Sequence, residues 1–270
     1  RSSREARAYG RPVLEHVSSL DGTRIAYRRS GEGPPLVLLH AITGAHWSWT
    51  LLAPLLQDRF TVYAVDRCGR GESGDHAAYA IEREFEDIAA LVGSIGEPAS
   101  VFGYSYGGTV ALGAALLTDN LHRLVLYEPS PGIQAVPAED LDAVDALVAR
   151  DEPEEALVFA LRSLGLSPDE VDQMRDLPIW SERVAAAHTV TRELRAEEAY
   201  GVDPERFRDL SVPVLLLVGE KSPRWAHDGT DRIRAALPNS QVAILSGQGH
   251  AATVTAPHLV ADEITRFLSV

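Results

Sequence analysis

Ser105 lies in the sequence G-Y-S-Y-G at 103–107, a spacing that is typical of a nucleophilic serine. A short apolar run ends at Gly103 and a segment of helical composition begins at Tyr106, so the serine lies where a strand turns sharply into a helix. The two glycines allow such a strained turn and close packing of the neighbouring chain. The predicted chemistry is attack of the serine hydroxyl on a carbonyl carbon, beside a helix N-terminus whose free N–H groups stabilise an anion.

A histidine suited to accept the proton of this serine follows the last apolar run of the chain. His250 stands after Gly247 and Gly249 and before a helical segment. A histidine just past a strand end reaches the same edge of a parallel sheet as Ser105, which predicts a role as general base.

The backbone donors for an oxyanion are predicted at two turns. The run at 36–39 is followed by H-A-I-T-G at 40–44, a turn whose N–H groups can face the serine turn. We expect the N–H groups of Ile42 and Tyr106 to form the oxyanion hole that stabilises a tetrahedral intermediate.

Short apolar runs that suit buried strands alternate along the chain with helical patterns. The runs lie at 36–39, 62–65, 101–102, 124–127, 214–218 and 242–245, and the helical patterns at 49–56, 81–92, 109–117, 231–237 and 257–268. This alternation predicts an α/β fold with a mostly parallel sheet, helices on both faces and a ligand site at the carboxyl ends of the strands. Two further runs, at 14–20 and 24–28, flank Asp21-Gly22, which predicts a hairpin.

Residues 130–209 interrupt the alternation. They contain helical stretches at 141–148, 156–164 and 184–200, with many acidic residues and several prolines. We expect a helical cap over the strand ends at 130–209. The core is then formed by 13–129 and 210–270, and residues 1–12 form a flexible tail.

Composition limits the classes of partner. The net charge is −14, which argues against nucleic acid and anionic membranes and leaves a small-molecule substrate. No run of about 18 apolar residues is present. The one cysteine, Cys68, fits a reducing compartment, so we expect a cytoplasmic location. No cofactor or metal is indicated by the motifs; oligomeric state and the presence of a removed leader stay open.

These motifs together resemble an α/β-hydrolase of the serine-nucleophile type with a helical cap. The resemblance covers roughly 13–268 and rests on the G-Y-S-Y-G turn, the His40 turn, the sequence D-R-C-G-R-G-E-S at 66–73 and the Gly249-His250 pair. It implies the α/β-hydrolase fold and the chain order nucleophile, acid, histidine.

The acid of the implied triad departs from the pattern of this family. The family commonly has a stretch resembling G-x-x-D here, but the chain has Ser222 in the place of the carboxylate. We predict Glu128, at the carboxyl end of the strand that follows the serine helix, as the replacement. Asp228, Asp231 and Glu220 are alternatives, and a triad without a working acid is another.

The predicted function is hydrolysis of a small to medium, largely neutral ester, thioester or lactone through an acyl-enzyme on Ser105. A serine at this turn argues against chemistry that uses a carboxylate nucleophile. Two alternatives stay open: C–C bond hydrolysis or non-hydrolytic natural-product tailoring on the same framework, and a ligand-binding protein with a vestigial triad.

Overall fold

The computed structural model describes residues 13–76, 78–129, 132–201, 203–237 and 239–269. Its strands are β1 (Val13–Ser18), β2 (Arg24–Ser30), β3 (Pro35–Leu39), β4 (Thr61–Val65), β5 (Ala99–Tyr104), β6 (Leu121–Tyr127), β7 (Val214–Gly219) and β8 (Ser240–Leu245). They form one 8-stranded sheet in the order β1-β2-β4-β3-β5-β6-β7-β8. β1 pairs antiparallel with β2, and β2 with β4, whereas all other neighbours are parallel. The predicted hairpin and mostly parallel sheet are confirmed.

Some of the helices pack on the two faces of the sheet, and others follow β6 in the chain. They are α1 (Ala53–Leu56), α2 (Ile81–Ser94), α3 (Tyr106–Ala114), α4 (Ala138–Ala149), α5 (Pro153–Ser163), α6 (Pro168–Arg175), α7 (Trp180–Ala185), α8 (Val190–Tyr200), α9 (Pro204–Phe207), α10 (Arg224–Ala236), α11 (Ala252–Thr255) and α12 (Pro257–Leu268). Helices α2, α3 and α10 contribute to the core on one face, and α1 and α12 to the core on the other.

Strand β3 shows why both faces must be covered. All five of its residues are buried. Val37 and Leu39 contribute to one core cluster, while Leu36 and Leu38 contribute to the other. Because successive side chains of a strand point to opposite faces, a continuous apolar run requires helices on each face.

Helices α4 to α9 lie between β6 and β7 in the chain, within the residues predicted to form the cap. The single helix expected at 184–200 is wrong, since the chain forms α7, a 3-10 turn at Ala187–Thr189 and then α8. The His188 ring and the Thr189 hydroxyl bond to the carbonyls of Ala185 and Ala186, at 2.9 and 2.6 Å. Side chains that occupy helix carbonyls in this way favour a break.

The helix expected at 49–56 is shorter in the structure, where α1 covers only Ala53–Leu56. A 3-10 turn at His46–Trp49 precedes α1, which has Pro54 in its first turn. A proline is tolerated at a helix start, but in the interior it removes an N–H donor and clashes with the preceding turn. The helix therefore begins just before Pro54.

No helix in the described ranges is long and apolar enough to cross a membrane. The tail expected at 1–12 lies outside the described residues. The cytoplasmic location stays a prediction.

Candidate active site

Ser105 lies between β5 and α3 in a strained backbone conformation, with φ 52° and ψ −123°. A positive φ is unusual for a residue with a side chain, and such strain is concentrated at functional sites. The glycines at either side are required by close approach. A Cβ on Gly103 would lie 2.5 Å from the carbonyl oxygen of Gly107, and a Cβ on Gly107 would collide with the carbonyl of Leu39.

His250 and Glu128 form a buried pair. Nδ1 of His250 lies 2.5 Å from Oε2 of Glu128, and the side chains are 5% and 0% exposed. The histidine comes from the loop after β8, whereas the glutamate directly follows β6. With Nδ1 bound to a carboxylate, the imidazole presents Nε2 as the acceptor. The expected approach of Glu128 to His250 is therefore present.

The other oxygen of Glu128 is held by two donors from the end of β7. The Gly219 N–H donates to Oε1 at 2.6 Å, and the Ser222 hydroxyl donates to the same atom at 2.5 Å. A carboxylate that accepts several hydrogen bonds is fixed in its orientation.

The alternative acids lie on the surface, and two of them have other partners. Glu220 accepts hydrogen bonds from Ser246 and the Gly247 N–H. Asp228 accepts one from Arg224 at 3.3 Å, and Asp231 is exposed. The structure thus brings Glu128, and none of these three residues, to His250.

Aromatic side chains from neighbouring elements hold the histidine loop. The Tyr104 hydroxyl donates to the carbonyl of His250 at 2.8 Å, and the Tyr127 hydroxyl donates to the carbonyl of Gly249 at 2.5 Å. The Trp225 ring and the imidazole pack in a T-shaped arrangement, with ring centroids 4.9 Å apart. These contacts fix both the loop backbone and the plane of the ring.

The turn at 40–44 is fixed by Arg67. Its Nε donates to the carbonyl of His40 at 3.0 Å and its Nη2 to that of Ala41 at 3.2 Å. Burial, together with the Arg67 charge, holds the pKa of His40 well below its usual range, so this imidazole is neutral. The Nε2 atom of His40 accepts a hydrogen bond from the backbone N–H of Arg67 and thereby closes the turn.

Ser105 and His250 line the same narrow cavity, together with Ile42. In the described part of the chain, the N–H groups of Ile42 and Tyr106 donate to no other residue. The first N–H groups of a helix have no partner within it, and Tyr106 is the first residue of α3. The segment after β6 also lines the cavity, through Leu161, Leu164, Leu166, Met174 and Arg183.

Cys68 is not part of this site. Its thiol is buried and donates to Asp75 at 3.1 Å, and burial raises its pKa. The ligand atoms of Cys68, His76 and Asp87 lie within 4.8 Å of one another, which is close enough for a shared ion. However, both ring nitrogens of His76 already have carboxylate partners, Asp21 at 2.8 Å and Asp87 at 3.1 Å.

Several site residues were not predicted from the sequence. Tyr104 and Tyr127 are the last residues of β5 and β6. A hydroxyl-bearing side chain at the end of a buried strand was the sequence feature that pointed to a place in the site. Ser222 was interpreted only as a missing acid. Arg183 gave no signal, because nothing in a helical stretch says which side chain faces a cavity.

Comparisons with known proteins agree with this architecture. The sequence model of the alpha/beta hydrolase family matches residues 36–263. An alpha/beta hydrolase from Sphaerobacter thermophilus DSM 20745 is 34% identical with a TM-score of 0.81, and the match covers 94% of this chain and 100% of that one. The predicted α/β-hydrolase fold is confirmed.

Two relatives are named for different activities. The chain is 26% identical over 281 residues to a putative 2-succinyl-6-hydroxy-2,4-cyclohexadiene-1-carboxylate synthase of Bacillus subtilis (strain 168), covering 94% of this chain and 98% of that protein. It is also 26% identical over 257 residues to a pimeloyl-(acyl-carrier protein) methyl ester esterase of Aeromonas hydrophila subsp. hydrophila, covering 90% and 99%.

Proposed function

Because the chain belongs to the alpha/beta hydrolase family, we propose that it is a serine hydrolase that cleaves a small to medium ester, thioester or lactone through an acyl-enzyme on Ser105. The observation that carries the proposal is the 2.5 Å contact between His250 Nδ1 and Glu128 Oε2. His250 also lines the same cavity as Ser105, whose backbone is held at φ 52°.

In the proposed reaction the Ser105 hydroxyl attacks the substrate carbonyl while His250 Nε2 takes its proton. The histidine then gives this proton to the leaving group, which departs as the tetrahedral intermediate collapses to the acyl-enzyme. Water attacks the acyl-enzyme in the same way and releases the acid. Glu128 keeps the proton on Nδ1 and stabilises the imidazolium.

We assign the oxyanion hole to the N–H groups of Ile42 and Tyr106. Their lack of another acceptor in the described chain supports this assignment. Preorganised donors of this kind are worth about 3 kcal/mol each in transition-state stabilisation. The Arg67 contacts to the carbonyls of the 40–44 turn hold the donor at Ile42 in place.

We also propose that residues 130–209 act as the cap. Support comes from the cavity that contains Ser105, since α5, α6 and α7 each contribute a residue to its lining. Further support comes from Glu193 on α8, whose carboxylate pairs with Arg67 at 3.2 Å and with Arg70 at 2.5 Å. These buried ion pairs tie the helices to the loop after β4.

A second candidate is C–C bond hydrolysis, or non-hydrolytic natural-product tailoring in which His250 acts mainly as a base, on the same framework. The similarity to a putative synthase favours keeping it. A ligand-binding protein with a vestigial triad is less well supported, since the carboxylate contact to His250 is the one that a working triad requires.

Burst and steady-state hydrolysis of 4-nitrophenyl butyrate distinguish these reactions. We expect the wild type to release a burst of 4-nitrophenolate, Ser105→Ala to lack both burst and turnover, and Ser100→Ala to behave as wild type. Ser100 is a matched control because it is a buried serine on β5, the strand that leads to Ser105. Turnover that persists in Ser105→Ala would exclude the acyl-enzyme.

A further inference from the structure

Arg183 is a buried cation in the wall of the cavity that contains Ser105 and His250. The residue is 5% exposed, and its Nε is buried without a hydrogen-bond partner. Within the described ranges no carboxylate forms an ion pair with it. Two other buried arginines differ in this respect, since Arg67 pairs with Glu84 and Glu193, and Arg70 pairs with Glu193.

An unpaired buried cation is costly to the folded state. Moving one ion from water into the protein interior without a partner costs roughly several kcal/mol, even after the protein relaxes. The burial lowers the pKa of Arg183 to about 10, which still leaves the guanidinium charged at neutral pH. The fold therefore maintains a positive charge beside the reactive serine at a cost in stability.

The surroundings of Arg183 stabilise its charge but leave its donors free. Its guanidinium carbon lies 5.4 Å from the centroid of the Trp47 ring, within range of a cation–π interaction. This contact does not occupy the planar N–H fork of arginine, which matches the two oxygens of a carboxylate.

We propose that Arg183 binds a carboxylate on the substrate, so that the cavity takes esters of small organic acids that carry a second, free carboxylate. This proposal rests on the serine hydrolase function proposed above. One guanidinium balances the single charge of a carboxylate, but not the two charges of a phosphate monoester. Leu161, Leu164 and Met174 supply apolar contacts for the methylene groups between the carboxylate and the scissile carbonyl.

This specificity differs from the largely neutral substrate expected from the sequence. That expectation followed from motifs and overall composition. The local charge of the cavity is positive although the chain as a whole has a net charge of −14. Charge at a binding site is set by the few side chains that face it, and Arg183 is brought there only by the fold.

Two matched esters test the proposal, 4-nitrophenyl hydrogen adipate and its neutral counterpart methyl 4-nitrophenyl adipate. The wild type should hydrolyse the charged ester with a kcat/KM about 10- to 100-fold higher, the range expected for hydrogen bonds to a charged group. Arg183→Met should bring this ratio close to one. Arg183→Lys, which keeps the charge without the planar fork, should give an intermediate ratio.

Arg175→Met is the matched control. Arg175 lies on α6 with its guanidinium carbon 5.5 Å from the Trp180 ring centroid, but its side chain is 43% exposed. This variant should keep the wild-type ratio. Equal use of the two esters by the wild type would overturn the proposal, as would an equal loss of both activities in Arg183→Met.

A binding measurement separates this proposal from the proposed catalytic function. By calorimetry, Ser105→Ala should bind methyl hydrogen adipate more tightly than dimethyl adipate, and Ser105→Ala/Arg183→Met should lose the difference. Charge-dependent binding without any turnover by the wild type would remove the acyl-enzyme and keep the carboxylate site. Serine-dependent turnover without a charge preference in rate or binding would keep the acyl-enzyme and remove the carboxylate site.

Discussion

The Ser222 hydroxyl donates a 2.5 Å hydrogen bond to Oε1 of Glu128. The residue in the place where the resemblance implies an acid therefore contacts the carboxylate that bonds to His250. The two residues follow neighbouring strands, β7 and β6, which pair in parallel and end at the same edge of the sheet. We infer that the acid has moved by one strand while the position of its charge relative to the histidine is kept.

Glu128→Gln should lower kcat by roughly 10³- to 10⁴-fold with little change in KM, because an amide does not fix the histidine tautomer or stabilise the imidazolium. Stopped-flow hydrolysis of a 4-nitrophenyl ester measures both constants. Glu220→Gln is the control, since Glu220 lies at the same end of the sheet with Ser246 and Gly247 as its partners. Full activity in Glu128→Gln would place the acid elsewhere.

Moving the carboxylate to position 222 should restore part of this activity. Glu128→Ala should be nearly inactive, and Glu128→Ala/Ser222→Asp should recover roughly 10- to 100-fold, since a carboxylate at 222 starts from within hydrogen-bond distance of the vacated site. Glu128→Ala/Ser222→Asn has the same shape without the charge and should recover nothing. Equal rates for the two double variants would contradict the relocation.

Arg67→Met should destabilise the protein by about 3–5 kcal/mol, because it leaves the Glu84 and Glu193 carboxylates buried without their partner. Urea unfolding measures the free energy of unfolding. Arg183→Met, which removes a buried charge that has no carboxylate partner in the described chain, should be neutral or stabilising. Exposed Arg83→Met should change stability by less than about 0.5 kcal/mol. A large loss in Arg183→Met together with a small one in Arg67→Met would reverse our interpretation of both residues.

His76 should make stability depend on pH. Burial opposes its protonation, but hydrogen bonds to Asp87 and Asp21 outweigh this effect and raise its pKa above the usual 6.5. A raised histidine pKa stabilises the folded state below the unfolded value, and this contribution is lost as the pH rises through the folded pKa. The destabilisation by His76→Gln should therefore be larger at about pH 6 than at about pH 9. His16→Gln, on the exposed side of β1, should show no such trend, and a flat difference for His76→Gln would refute the prediction.

Much of the fold followed from local patterns. Continuous apolar runs such as 36–39 predicted buried strands, and Asp21-Gly22 predicted the hairpin, because strand burial and turn chemistry are encoded by neighbouring residues. The breaks near Pro54 and at 187–189 were missed. The first depends on where a helix starts around a proline, and the second on side chains that compete for backbone carbonyls.

The candidate site likewise has residues that local patterns predicted and contacts that they did not. Ser105, His250 and Glu128 were predictable because each follows a strand, and parallel strands bring their carboxyl ends to one edge. The contact between Ser222 and Glu128 spans 94 positions of sequence, and the charge of Arg183 enters the cavity from an interrupted helical stretch. Such relationships depend on packing angles between elements, which residue patterns do not specify.

Covalent labelling tests the central claim most directly. Intact-protein mass spectrometry after treatment with a small fluorophosphonate, followed by peptide mapping, should show one phosphonyl adduct on Ser105 in the wild type and in Ser100→Ala. Ser105→Ala should gain no adduct. An unlabelled wild type, or an adduct that persists in Ser105→Ala, would contradict a reactive serine at the end of β5.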